Sequence, residues 1–141
     1  MTRNEMLQDL LVRVPIVQTL GMRCDVKGDD MTAILPFNNK LIGNFSLKAL
    51  HGGAIGTFLE LTAMAQLFLE SDVEKLPRTI NITVDYLRRG RAENLFARAY
   101  IVKMGRRMSS VRVEAWQAER SKAVAAMQGH FLLSRPELES Q

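Results

Sequence analysis

One cysteine and two histidines in 141 residues leave little material for disulfide or metal chemistry. Cys24 alone excludes an internal disulfide framework and reads as a strand residue, and His51 with His130 cannot make a multi-histidine metal site within one subunit. No stretch reaches the roughly 18 uncharged apolar residues that a membrane span needs. The richest run, 52–69, is broken by Glu60 and Gln66. Aromatics are scarce too, at six Phe, two Tyr and one Trp, and none joins a basic run of the kind that stacks bases. Nucleic acid is therefore not an expected partner. The first residues, Met1-Thr2-Arg3-Asn4-Glu5, lead into an amphipathic pattern without the apolar centre and small-residue cleavage site of a signal peptide. A cytoplasmic location away from membranes is the expectation.

What remains is the composition of an ordinary globular domain, 47% apolar and 24% charged. The length suits one domain over 1–141 that buries about two-thirds of its unfolded surface. Charge is uneven along it. Between residues 78 and 112 nine basic residues face only Asp85 and Glu93, a net of +7, which leaves −3 elsewhere against the total of +4. Such asymmetry suggests an anionic partner, although Lys and Arg also discourage aggregation at exposed strand edges.

Periodicity divides the chain into helix, hairpin, helix and strands. Leu7, Leu10, Leu11, Val14 and Val17 recur at helical spacing, so 1–20 reads as an N-terminal helix that Pro15 kinks or ends, lying on a sheet or over an edge. Residues 22–26 and 31–35 flank Gly28-Asp29-Asp30 and predict a hairpin. The stretch 37–50 has no period and reads as a long loop. A helix follows over 51–69, rich in Ala, Leu, Met, Phe and Glu. Beyond Pro77 the period becomes two, with Ile80, Ile82, Val84 and Tyr86 alternating with Asn81, Thr83 and Asp85. Further strands are expected over 95–104, 108–117 and 123–133, the last three forming an antiparallel meander, and 134–141 reads as a flexible tail.

The central helix holds the sharpest chemical signal. Apolar on nearly every side, it calls for a sheet wrapped around it or an oligomer interface. Within it Glu60 is the only acid before Glu70. An unpaired buried carboxylate costs several kcal/mol, so Glu60 must be paired, neutralised or used. Gly53, Gly56, Thr57, Glu60 and Met64 share one narrow face. The small residues would let a ligand or another backbone approach, with Glu60 at the floor of the groove; the same row would serve tight helix packing with Glu60 paired to an arginine across an interface. Phe45, Leu47, Phe58 and Met64 are candidates for an apolar pocket.

Two blocks carry a resemblance. Ile42-Gly43-Asn44-Phe45-Ser46-Leu47-Lys48-Ala49-Leu50-His51-Gly52-Gly53-Ala54-Ile55 resembles the active-site loop and helix start of acyl-CoA thioesterases of the phenylacetate-pathway type, and Val84-Asp85-Tyr86-Leu87-Arg88-Arg89-Gly90-Arg91 is similar to their later strand end and turn. The resemblance implies a hotdog fold of the α+β class, with a long central helix wrapped by an antiparallel sheet of about six strands. It also implies a thioester hydrolase acting on an acyl- or aryl-CoA. Coenzyme A would enter as part of the substrate, without a separate cofactor or metal.

Carried over by position, the resemblance makes Glu60 the nucleophile or general base and the Gly52 backbone N–H the oxyanion donor, aided by the helix N-terminus. His51 would fix the loop, and Asn44 would help to hold the acid or the attacking water, here seven residues before the histidine where six is common. Glu60 stands where Asp is commoner. Gly53 and Thr57 would line the substrate. Arg88 would face the acid from the neighbouring subunit, and Arg89, Arg91 and Arg106 would hold CoA phosphates, which arginine matches in a bidentate way. A homodimer or homotetramer with shared sites is implied. The alternative is a non-catalytic acyl-CoA or acyl-carrier binder of the same fold.

Overall fold

In a computed structural model, residues 1–135 are described. The chain runs α1 (Arg3–Val12), α2 (Pro15–Leu20), β1 (Arg23–Lys27), β2 (Asp30–Leu35), β3 (Ile42–Asn44), β4 (Ala49–Leu50), α3 (Gly52–Glu70), β5 (Arg78–Tyr86), β6 (Leu95–Met104), β7 (Met108–Trp116) and β8 (Ala125–Leu132). The tail expected over 134–141 falls, from residue 136 onward, outside the described residues.

The helix expected over 1–20 is two helices, because Pro15 cannot extend the first and instead begins the second. Thr2 caps α1 in a reciprocal box: its hydroxyl accepts the Glu5 N–H and the Glu5 carboxylate accepts the Thr2 N–H, both at 3.1 Å. α2 closes on Gly21, whose φ of 72° suits glycine. α1 packs on α3 and covers the outer edge of β1, where Gln8 donates to the Cys24 carbonyl at 2.9 Å. Cys24 itself is buried, and burial pushes its thiol up to about 12.

β1 and β2 form the expected hairpin, and β6, β7 and β8 the expected meander. The six strands make one antiparallel sheet in the order β1-β2-β6-β7-β8-β5. α3 packs against β2, β5, β6, β7 and β8, so the sheet wraps the helix in the hotdog arrangement that the resemblance implies. Eleven residues of α3 are buried. By length and composition this helix could cross a bilayer; its apolar surface is instead covered by the sheet. Phe58, Leu59, Phe68, Met127 and Phe131 are the large side chains at the centre of the core.

Two expectations need correction. The stretch 37–50 is not a plain loop: it holds a 3-10 turn (Asn39–Leu41) and the small ribbon β3–β4. Phe58 is not an accessible pocket residue but is wholly buried in the core, whereas Phe45 and Leu47 stand exposed in the turn of the ribbon.

The end of α3 is held by the beginning of the chain. Arg3 donates from Nε to the Phe68 carbonyl at 3.2 Å and from a terminal nitrogen to the Val73 carbonyl at 2.8 Å, while its guanidinium lies 3.9 Å from the centre of the Phe68 ring. These carbonyls lie at and beyond the last turn of a long helix, where a cation complements the dipole. Replacing Arg3 with Ala should lower unfolding stability by about 2 kcal/mol, read as a lower urea midpoint at unchanged slope. An unchanged midpoint would show that α1 is not what secures this end.

Candidate active site

His51 is exposed and is the N-cap of α3. Its backbone is extended, with φ −66° and ψ 127°, and its Nδ1 accepts the Gly53 N–H at 2.9 Å. The Nδ1 lone pair is thus occupied and the ring proton belongs on Nε2. The His51 N–H donates to the Leu41 carbonyl at 2.6 Å. Two glycines make room for it: a Cβ on Gly43 would come within 2.9 Å of His51 Cα, and one on Gly53 within 2.8 Å of Cε1. The helix leaves the N–H of its first residue, Gly52, without an intrahelical acceptor. That donor carries the positive end of a nineteen-residue dipole.

Glu60 is half-buried two turns further along, and one of its oxygens accepts a hydrogen bond from the Thr79 hydroxyl of β5. A bulge makes this contact possible. Thr79 pairs with Phe131, but Asn81 pairs with His130, so Ile80 is the extra residue between them. Residues two apart normally share a face. Here the bulge turns Thr79 toward the core face, beside Phe131, and leaves Asn81 on the outer face, where its Oδ1 lies 3.0 Å from His130 Nδ1.

β5 continues along the same flank of the helix. Tyr86 donates its hydroxyl proton to the Gly52 carbonyl at 2.7 Å. A Cβ on Gly56 would lie 3.1 Å from the Tyr86 oxygen and 3.9 Å from Val84 Cγ2. Gly52, Gly56 and Glu60, spaced by four, therefore form the row that faces β5. Gly53 and Thr57 lie beside it, joined by a hydrogen bond of 2.8 Å from the Thr57 hydroxyl to the Gly53 carbonyl. At 1.5 Å rise per residue, Gly52 and Glu60 are about 12 Å apart along the axis.

Both blocks of the resemblance meet in one protomer. The Leu50 N–H donates to the Gly90 carbonyl at 2.9 Å, Ala49 bridges Arg91, and Gly90 lies so close to Leu50 and Ile55 that a Cβ would sit 3.3 and 3.1 Å from them. Gln117 clamps the same turn, accepting the Arg91 N–H at 3.0 Å and donating to the Arg91 carbonyl at 2.9 Å. Arg88, Arg89 and Arg91 line a cleft of about 180 Å³ together with Lys122, Glu93 and Glu119. One Arg88 nitrogen donates to the Ala123 carbonyl at 2.7 Å.

Arg106 is elsewhere. It sits in the turn between β6 and β7, while Arg91 lies near the start of β6, so the ten-residue strand separates them by about 30 Å in one protomer. Asn44 is exposed, and its Oδ1 accepts the Leu47 N–H at 3.1 Å inside the β3–β4 turn. Sequence reading missed Thr79, because strict alternation places it on the outer face with Asn81. It also missed the contact of Tyr86 with the glycine row, whose only trace is an aromatic residue at the end of the second block. Among the described residues no group of three His, Cys, Asp or Glu side chains is placed to hold a metal ion.

Comparison with known proteins adds a lineage to this geometry. The sequence profile of the thioesterase superfamily matches residues 47–124, which span the helix start, Glu60, β5 and the arginine turn. The chain is 30% identical to the medium/long-chain acyl-CoA thioesterase YigI of Escherichia coli K12, with 75% of this chain and 77% of that protein covered. A crystal structure of a protein from Chromobacterium violaceum is 34% identical and superposes with a TM-score of 0.72 over 94% of this chain and 98% of that one. The PaaI protein of the Escherichia coli phenylacetic acid degradation operon, at 15% identity, shares the fold with a TM-score of 0.80 over 94% of each chain.

Local energetics of the helix start can be tested without substrate. His51→Ala removes the cap and should cost about 1 kcal/mol of unfolding stability, measured by urea denaturation. A midpoint equal to that of the unsubstituted chain would show that the Gly53 N–H finds another acceptor.

Proposed function

The chain belongs to the thioesterase superfamily and is a thioester hydrolase, and on that footing we propose that it hydrolyses acyl-CoA thioesters at a site assembled from two copies of itself. The observation that carries this reading is the row on α3: an N–H at Gly52 with no intrahelical acceptor, small residues, and then a carboxylate held by Thr79. A single carbonyl carbon must lie about 3 Å from both nucleophile and oxyanion donor. The roughly 12 Å between Gly52 and Glu60 along one helix is too far for that. Two helices side by side in opposite directions would bring Glu60 of one copy to Gly52 of the other. β5 favours such pairing, since it ends the sheet with one edge unpartnered by any described strand and with Ile80 half exposed. A homodimer with a continuous sheet, able to pair again into a tetramer, is the proposed assembly.

The chemistry then runs in two steps. Thr79 occupies one carboxylate oxygen, and the other takes a proton from water as its oxygen attacks the thioester carbonyl. The carbonyl oxygen gathers negative charge against the Gly52 N–H, in a site where a fixed donor needs no reorganisation. Collapse of the tetrahedral intermediate breaks the C–S bond and releases coenzyme A as a thiolate, which needs little help from an acid. His51 holds the loop, and Gly53 and Thr57 border the substrate. Arg88 is proposed to face the acid of the other copy.

Coenzyme A is proposed to enter as part of the substrate, with its phosphates on Arg89 and Arg91 at the 180 Å³ cleft. Arg106 can join them only from the second copy, given its distance within one. Asn44 is proposed to act on the water only if the β3–β4 turn closes over it. The relationship to a medium/long-chain acyl-CoA thioesterase supports acyl groups of medium or long chain, and a cytoplasmic setting is proposed from the sequence reading alone.

Glu60→Gln keeps the size and the Thr79 contact but cannot take a proton. It should lower kcat on acyl-CoA about a thousandfold while leaving light-scattering mass and unfolding midpoint unchanged. Thr79→Val should lower kcat about tenfold with KM little changed, as for a group that orients the base. Unaltered hydrolysis by the Glu60 variant removes Glu60 from the mechanism. Tight binding of a non-hydrolysable CoA thioester without turnover of any natural one would make the protein a binder instead. A fully active monomer would defeat the shared site.

A further inference from the structure

Resting on the acyl-CoA thioesterase reading, we propose that Tyr86 sets the size of the acyl group that this chain accepts. Glycines at 52 and 56 open a groove along the flank of α3 that faces β5, and the phenol ring lies in that groove. A Cβ on Gly52 would be 3.6 Å from both Cε1 and Cζ of the ring, and one on Gly56 would be 3.1 Å from its oxygen. No smaller residue at 86 could fill the same space from β5.

Ordinary core packing does not explain the ring. Tyr86 is 55% exposed, with one side on the glycines and the other open, whereas residues that close the core, such as Phe58 and Phe131, are completely buried. The hydroxyl fixes the ring by its 2.7 Å hydrogen bond to the Gly52 carbonyl, the peptide next to the oxyanion donor. In the proposed binding mode a thioester whose oxygen sits on the Gly52 N–H turns its acyl carbons toward this ring, which lies 3.6 Å from where a Gly52 Cβ would be. Further along the same flank Val84 covers Gly56, its Cγ2 lying 3.9 Å from where a Gly56 Cβ would stand, so Tyr86 is the last side chain of β5 between the core and the Gly52 end of the helix. The ring is thus a wall beside the reacting carbonyl, held by one hydrogen bond. In apolar pockets of this kind each methylene admitted or refused is worth about tenfold or more in kcat/KM.

The test is the selectivity of Tyr86→Val, Tyr86→Trp and Tyr86→Phe toward acetyl-, hexanoyl- and dodecanoyl-CoA, scored by thiol release. The Val variant should raise the ratio of kcat/KM for dodecanoyl-CoA over acetyl-CoA by about tenfold or more, and the Trp variant should move it the other way. The Phe variant keeps the ring and should keep the order of preference. Because Val and Trp are read in opposite directions, poor folding of either leaves the other decisive. A common factor across all three substrates in the surviving variants overturns the role of Tyr86 while leaving the hydrolase reading intact. No turnover of any of the three by the unsubstituted protein overturns the acyl-CoA reading and this inference together.

Discussion

A nineteen-residue helix that is apolar on almost every side gains nothing from standing in water, and the remaining structure exists to cover α3. Propensity alone makes a helix of this length marginal. Tertiary burial supplies the difference. The sheet runs under it from β2 through β6, β7 and β8 to β5, α1 packs over it, and Arg3 satisfies carbonyls at and beyond its last turn. Coverage is uneven: Cys24, Met31, Ala33 and Leu35 of β1 and β2 are buried at one end of the sheet, whereas the β5 end is looser. The residues of β6, β7 and β8 that face the helix are mostly buried, while those of β5 that face it are half-buried or exposed. The row of Gly52, Gly56 and Glu60 lies along that loose flank. A carboxylate is tolerable there because water and the Thr79 hydroxyl can reach it.

The helix N-terminus is built as carefully as its flank. His51 is held by Leu41, crowded by Gly43 and used to cap Gly53, so its position is settled from three sides. The turn at residues 88–91 is tied in turn to Leu50 and Gln117. Such over-determination fixes where the Gly52 N–H points, as its proposed role as a preorganised oxyanion donor would require. Tyr86 joins the two halves, reaching from the end of β5 to the first turn of α3.

The basic run between residues 78 and 112 resolves into separate duties once it is folded. Arg98 and Arg112 are sheet residues that reach Asp30 at 3.9 Å and Glu114 at 3.6 Å, exposed or partly exposed pairs that contribute little to stability. Arg88 spends one nitrogen on a backbone carbonyl. Arg89 and Arg91 remain at a cleft edged by Lys122 and by two carboxylates, Glu93 and Glu119. The cluster is therefore smaller and less purely cationic than the linear count of +7 implies.

Local rules in the sequence decided the elements: helical spacing for the first twenty residues with Pro15 as a break, a helix-forming apolar composition for α3, a period of two for β5 and the strands after it, and Gly28 for the first hairpin. They also singled out Glu60, since one carboxylate in a long apolar run is visible without coordinates. The two blocks at 42–55 and 84–91 were legible as motifs, and the fold brings them into contact through Leu50, Gly90 and Tyr86. What alternation could not convey was the bulge at Ile80, because a single unpaired residue leaves no mark on a period-two pattern yet reverses every face before it. Thr79 reads as an outward residue in the chain and is an inward one in the sheet. Its hydrogen bond to Glu60, like the seat of the Tyr86 ring on two glycines, is decided by register between elements far apart in sequence, and only the folded sheet sets that register.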